Sequence, residues 1–451
     1  MSGLLVLGLG LAAAAVIGVV LLEALVRRAE LGAGLLLAML LLNAVLVRRV
    51  PALTLPGGIR VQLHDAAFAL LLAAALLRLL RIRRLERFQR WALLLAGVLA
   101  LSLVRGMLGF GMERGVAEFR LYLSLLSGLL YFATFPPSEW LSDRVGVLWL
   151  AASVPMLALV SARWLANFAG IDLGVPPEEF GADAALRVLD GPYVFFLATA
   201  AMLTAPFWRR RDQRARALTR YGVLLLLFVL LLDRRTVYLA LLAGMAVLMA
   251  RRRRLGRREA AVAAGALLIT AGAYLAFARA DTEQPLARAA ASTGTLDWRV
   301  EGWRSLLEGW SDNPANWLVG EPFGSGFTRT VGGTELAAEP HNLYLTTLLR
   351  SGAVGLLALV ALTVGLLRAL WRVPPGGPGL LAPGVLPALL AMQTIWFFTW
   401  LPGMEQGIIT GLAVALAASR AGDQDTFPRL GRRPPPVAAP PVAASAPGGP
   451  P

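Results

Sequence analysis

The chain has 451 residues, 57% of them hydrophobic and 16% charged, with a mean hydropathy of +0.64. Apolar runs that reach or approach the ~20 residues needed to cross a bilayer recur along it without alternation, which excludes an outer-membrane barrel and gives an all-α, polytopic membrane helical bundle. Cysteine is absent, so disulfides and thiolate chemistry are excluded, and the formal net charge of +15 sits mostly in short loops, where it orients spans and does not signal nucleic acid.

In chain order, Met1–Val26 reads as a first span, because no small-residue cleavage site follows it. Further spans are predicted over 31–47, 63–80, 91–108, 116–135, 145–168, 189–208, 221–232, 236–250, 259–279, 342–370, 379–400 and 403–419, about twelve or thirteen helices. Residues 1–279 form the main bundle, 280–341 an extramembrane loop subdomain, 342–420 the closing helices, and 421–451 a Pro/Ala-rich tail expected to be disordered. The basic loops 81–90, 209–220 and 251–258 are expected in the cytoplasm. Alternation from them puts 109–115, 169–188, 233–235, 280–341 and 401–402 outside and the tail inside. Arg27-Arg28 and Arg48-Arg49 cannot both be inside if both preceding segments span, so the side of the N-terminus stays open.

Within 280–341, Thr295 or Asp297 can cap a helix that puts Val300, Trp303, Leu306, Leu307 and Trp310 on one face. This predicts an amphipathic helix at the membrane interface with tryptophan anchors. Gly320-Glu321-Pro322-Phe323-Gly324-Ser325-Gly326-Phe327 follows, a loop whose glycines permit a close backbone approach.

Arg234-Arg235 lies in a tight turn predicted to be outside, against the usual charge bias. Snorkelling to lipid headgroups is the plain alternative; misplaced charge in a membrane protein favours function. Arg105, Arg114, Arg120, Arg163, Arg299 and Arg350 gather toward the same face. A guanidinium presents a planar fork that matches phosphate, and a cluster of them is tolerable if it surrounds an anion. The expected site is a diphosphate held at the outer leaflet. For any single arginine, a headgroup contact or a pair with Glu113, Glu118 or Asp190 is equally open.

His341, one of two histidines, precedes the helix predicted from 342. The positive end of the helix dipole disfavours imidazolium, and a neutral imidazole can accept a proton from a hydroxyl. Asn342 offers an orienting or substrate-binding amide. His64 reads as structural or as a headgroup contact. No H-E-x-x-H, Cys/His cluster or convincing acidic pair is present, and no G-x-S-x-G elbow or P-loop, so no metal and no cofactor is expected.

Three local patterns complete the reading: Arg235-Thr236 opening a span; Arg299-x-x-x-Trp303 followed by Gly320…Gly324-x-Gly326; and His341-Asn342-x-x-Leu345 with Gly352-x-x-Gly355. In this order the chain resembles the bacterial O-antigen ligase superfamily, which includes Wzy-type polysaccharide polymerases. The resemblance implies a GT-C-like glycosyltransferase of the inner membrane with its site facing the periplasm. It implies a glycan donor on undecaprenyl diphosphate, a glycan or lipid A–core acceptor, and metal-independent transfer with inversion. His341 is then the base or acceptor-orienting residue, and Arg235 and Arg299 contact the donor diphosphate. Arg350 is placed by topology alone. Ligase and polymerase are not separated. The rival class is a transporter or flippase for an anionic lipid-linked glycan, but no repeat symmetry is evident and the polar features crowd to one side.

Overall fold

The computed structural model describes residues 16–46, 51–54, 60–136, 139–171, 188–208, 210–232, 234–251, 293–373 and 384–421. The predicted span 259–279 and the tail from 422 lie outside the described residues. Helix α1 covers residues 16–27 and α2 Ala29–Leu46; a hairpin of β1 (Ala52–Thr54) and β2 (Arg60–Gln62) leads into α3 (Leu63–Leu79). Then come α4 (Arg87–Phe110), α5 (Met112–Ala133), α6 (Glu139–Phe168), α7 (Gly191–Leu203), α8 (Gln213–Leu231) and α9 (Arg235–Arg251). Between α9 and the closing helices lie α10 (Thr293–Ser311), α11 (Pro314–Val319) and a second hairpin, β3 (Thr328–Val331) and β4 (Thr334–Ala337). Finally α12 (Leu343–Trp371), α13 (Leu386–Trp396) and α14 (Met404–Ala421) close the bundle.

Five of the described helices are long and apolar enough to cross a membrane: α2, α4, α5, α6 from Leu141 and α12. Residues Gly191–Phe207, Leu386–Trp396 and Met404–Ala418 are shorter apolar helices. The chain is therefore an all-α polytopic membrane protein. Helix starts follow local chemistry. The Asp212 carboxylate accepts from the Ala215 amide at 2.8 Å, and Asn342 accepts from Leu345 at 3.1 Å, so each satisfies an amide that the first turn leaves free.

Lipid supplies no hydrophobic drive between helices, so close contact depends on small residues. A Cβ on Gly128 of α5 would lie 2.9 Å from the Gly407 carbonyl carbon of α14, and one on Gly407 would lie 2.5 Å from the Leu125 carbonyl oxygen. Backbone meets backbone along this pair.

The predicted single helix from 342 is two helices divided by a sharp kink. Gly352 has φ 62° and ψ −164°, outside the helical region and accessible to glycine at little cost. The break frees carbonyls, and neighbouring elements satisfy them. Leu349 O accepts from the Glu321 amide (2.7 Å) and from Trp310 Nε1 (3.1 Å), while Ser102 Oγ of α4 donates to Arg350 O at 2.5 Å. The kink thus seats the segment from α10 to β4 on the bundle.

Candidate functional site

The amphipathic α10 forms as the spacing requires, but its apolar face meets protein. Leu306 and Trp310 are buried with Phe327, Leu345 and Leu349, and Trp303 and Leu307 pack on that cluster, whereas Val300 is exposed. Trp303 Nε1 donates to Pro340 O at 2.8 Å. The tryptophans expected as lipid anchors fasten α10 to the segment that carries the histidine.

The Gly320–Phe327 loop makes the close approach its glycines permit, and its partners are α4, α5 and α12. The Gly324 amide donates to Glu118 at 2.6 Å, and a Cβ on Gly106 would collide with the Phe323 carbonyl. The hairpin after it turns on Gly332-Gly333, both at positive φ, as a two-residue hairpin turn requires. Its exposed amides tie it to α10: Thr330 N to Ser305 Oγ and Gly332 N to Glu301 Oε1, both 2.9 Å. Along β3 exposure alternates, so Arg329 and Val331 face inward.

His341 sits between these parts. Its φ is 48°, an uncommon region for a residue with a Cβ, and its neighbours hold it there. Pro340 O accepts from Trp303, Asn342 caps α12, and the Leu343 amide donates to Phe397 O at 2.8 Å. The imidazole stacks on Trp400, centroids 5.3 Å apart, and Nδ1 is buried without a hydrogen-bond partner. Burial, and behind it the charges of Arg299 and Arg329, push the imidazole down to about 4. It is neutral near pH 7, as expected, but burial and two guanidiniums are the main causes. Glu339, two residues earlier, is pushed up to about 7 by burial and by Glu118, against the pull of Arg350.

The structure gives the other expected residues different settings. Arg299 lies half-buried near His341 and Arg329, and burial lowers its pKa. Arg350 is 1% exposed and its charge is met by protein: it pairs with Glu118, approaches Glu321 at 3.4 Å, donates to Ser325 Oγ at 2.5 Å and to Gly326 O, and lies over the Phe327 ring. It acts as the clasp of the loop. Arg105 donates to Val319 O (3.0 Å) and Gly320 O (3.2 Å). Arg120 donates to Asp65 (2.9 Å) and to Arg60 O (2.6 Å). Asn342 spends its carbonyl oxygen on the helix cap.

Arg234 donates to Leu189 O at 2.7 Å and lies 4.0 Å from Asp190, while Arg235, exposed, opens α9. A row of contacts links that corner to the histidine. Trp396 fits against Gly191, where a Cβ would come within 2.8 Å of its ring; Trp396 then meets Trp400, and Trp400 meets His341.

Two residues absent from the expected set belong here, Arg329 and Glu339. A sequence signal for Arg329 exists: Thr328-Arg329-Thr330-Val331 alternates and runs into Gly332-Gly333, the signature of a hairpin with an inward arginine. His341, Arg299 and Arg329 come from α12's leading end, α10 and β3. Together they offer a neutral proton acceptor within the field of two guanidiniums.

Residues 221–360 match the model of a family described as O-antigen ligase. No curated protein matches the chain. The matched stretch contains Arg235, Arg299, Arg329, His341 and Arg350, and with them the whole described loop subdomain. Over this stretch the chain is similar to the O-antigen ligase family, and the match supports a membrane enzyme of glycosyl transfer.

Proposed function

We propose that the protein transfers a glycan from undecaprenyl diphosphate to a sugar hydroxyl, on a glycan or on lipid A–core, at the periplasmic side of the inner membrane. The observation that carries this reading is the neutral imidazole of His341 beside Arg299 and Arg329. The acceptor oxygen attacks the anomeric carbon while the bond from that carbon to the diphosphate oxygen breaks. The electron pair of that bond leaves with the undecaprenyl diphosphate, and the acceptor proton passes to His341. A single displacement inverts the anomeric centre. Charge develops on the leaving diphosphate, where fixed guanidiniums such as Arg299 and Arg235 lower the barrier without a metal ion.

The test is a reconstituted assay with lipid-linked donor and acceptor. His341→Ala is expected to remain folded and to lose transfer by roughly 10²–10⁴-fold, the usual worth of a positioned base. A folded variant with full activity would reject the base role. With donor alone, lengthening chains identify a polymerase; transfer that waits for lipid A–core identifies a ligase.

A further inference from the structure

Arg329 is 1% exposed, and Nε, Nη1 and Nη2 are all buried without a hydrogen-bond partner. Its guanidinium carbon lies 4.1 Å from the centre of the Trp298 ring. Its shaft passes Gly302, where a Cβ would come within 2.8 Å of Cδ and 2.9 Å of Nη1. Any side chain at 302 would push the guanidinium aside. A cation–π contact returns about 1–2 kcal/mol, whereas a buried charge without partners costs several. The ring alone does not balance the charge. The charged group that acts on Arg329 is Arg299, of like sign, and it pushes the Arg329 pKa down after burial does. Among the described residues no carboxylate pairs with either arginine.

Arg350 supplies the contrast within the same chain. It is equally buried, and the fold gives it Glu118, Glu321, a hydroxyl and a carbonyl. Interior arginines that act as clasps elsewhere in this chain are likewise given acceptors: Arg78, also buried, donates to Thr134 Oγ1 and to the carbonyls of Leu25 and Tyr131. Arg329 receives none and faces a second cation, an arrangement stabilised by a ligand bearing at least two negative charges.

We propose that Arg329 and Arg299 are the two jaws of an oxyanion cradle, given room by Gly302 and backed by Trp298, that takes the diphosphate of a polyprenyl-linked donor. The identity of the anion rests on the transferase reading above; the cradle itself rests on the unpartnered guanidinium.

The experiment follows thermal unfolding of the purified full-length protein titrated with farnesyl diphosphate, with inorganic pyrophosphate, and with phosphatidylglycerol in mixed micelles. Wild type is expected to be stabilised by both diphosphates. Arg329→Gln is expected to leave the basal midpoint unchanged or raised, because it removes an uncompensated charge, and to weaken both diphosphates at least tenfold. Gly302→Ala keeps both arginines and is expected to reproduce that loss. A lowered basal midpoint with unchanged diphosphate affinity in Arg329→Gln would make the residue structural and overturn the cradle. If Arg329→Gln does not fold, wild-type affinity in Gly302→Ala overturns it. Stabilisation by phosphatidylglycerol and by neither diphosphate overturns the donor assignment in favour of a lipid headgroup. A wild type that transfers glycan but binds neither diphosphate sinks the cradle alone. One that binds both through Arg329 yet transfers nothing sinks the transferase reading and supports the cradle.

Discussion

Arg350 of α12 and Glu118 of α5 form a buried ion pair, and Glu118 uses its second oxygen to hold the Gly324 amide at 2.6 Å. One carboxylate therefore fixes both the kinked helix and the glycine loop. Removing the arginine leaves that carboxylate buried with its charge uncompensated, which costs roughly 3–5 kcal/mol. Arg350→Ala is expected to lower the thermal midpoint and the folded yield. Adding Glu118→Gln to it should recover part of the loss, because the stranded charge is removed. A melt of Arg350→Ala that superimposes on wild type would show that the pair is not a clasp.

Glu339 gives a pH-dependent contribution to stability. Its carboxyl is pushed up to about 7, above the ordinary value near 4.5, because burial disfavours the charged form. Below about pH 4.5 it is protonated in folded and unfolded chains alike, and its favourable contribution is complete. As pH rises through 7 the folded chain must ionise a buried group, and that contribution is lost. Glu339→Gln should stabilise the protein at pH 8 by on the order of 1–3 kcal/mol and change nothing at pH 4.5. Equal effects at both pH values would show that the carboxyl does not titrate in this window.

The acid limb of catalysis reports His341. With the imidazole at about 4, the base form persists well below neutrality. Measured in Glu339→Gln, which removes the nearby titration, kcat/KM is expected to hold from pH 7 to about 5 and to fall toward 4. Arg329→Gln removes one of the charges that depress the ring and should move the limb upward, toward the ordinary value near 6.5. A limb already at 6.5 in Glu339→Gln contradicts the buried, cation-flanked setting.

Arg235 tests geometry against charge. It opens α9, where the helix dipole adds to its positive field. Lysine keeps the charge but lacks the two parallel donors of the fork. Arg235→Ala is expected to raise the donor KM by roughly tenfold or more, about 1.4 kcal/mol, with Arg235→Lys falling between it and wild type. Equal donor KM in all three proteins argues against a phosphate contact at this position.

The sequence by itself determined where the helices are. A bilayer forces each spanning backbone to satisfy its own polar groups, so hydropathy reports spans directly, and 91–108 and 145–168 reappear within the span-length helices α4 and α6. It also singled out His341 and Arg299, and it placed Trp303 and Trp310 on one helical face. Tertiary structure alone decided what each charge does. Arg350, Arg105 and Arg329 are alike as residues, yet the first meets Glu118, 232 positions away, the second holds backbone carbonyls 214 and 215 positions away, and the third meets no acceptor among the described residues. The break at Gly352 is likewise legible only against the elements that fill it, since glycine also occurs inside unbroken membrane helices. Local periodicity fixes how the backbone is hydrogen-bonded. The pairing of a buried charge depends on atoms far away in sequence, and no local pattern encodes them.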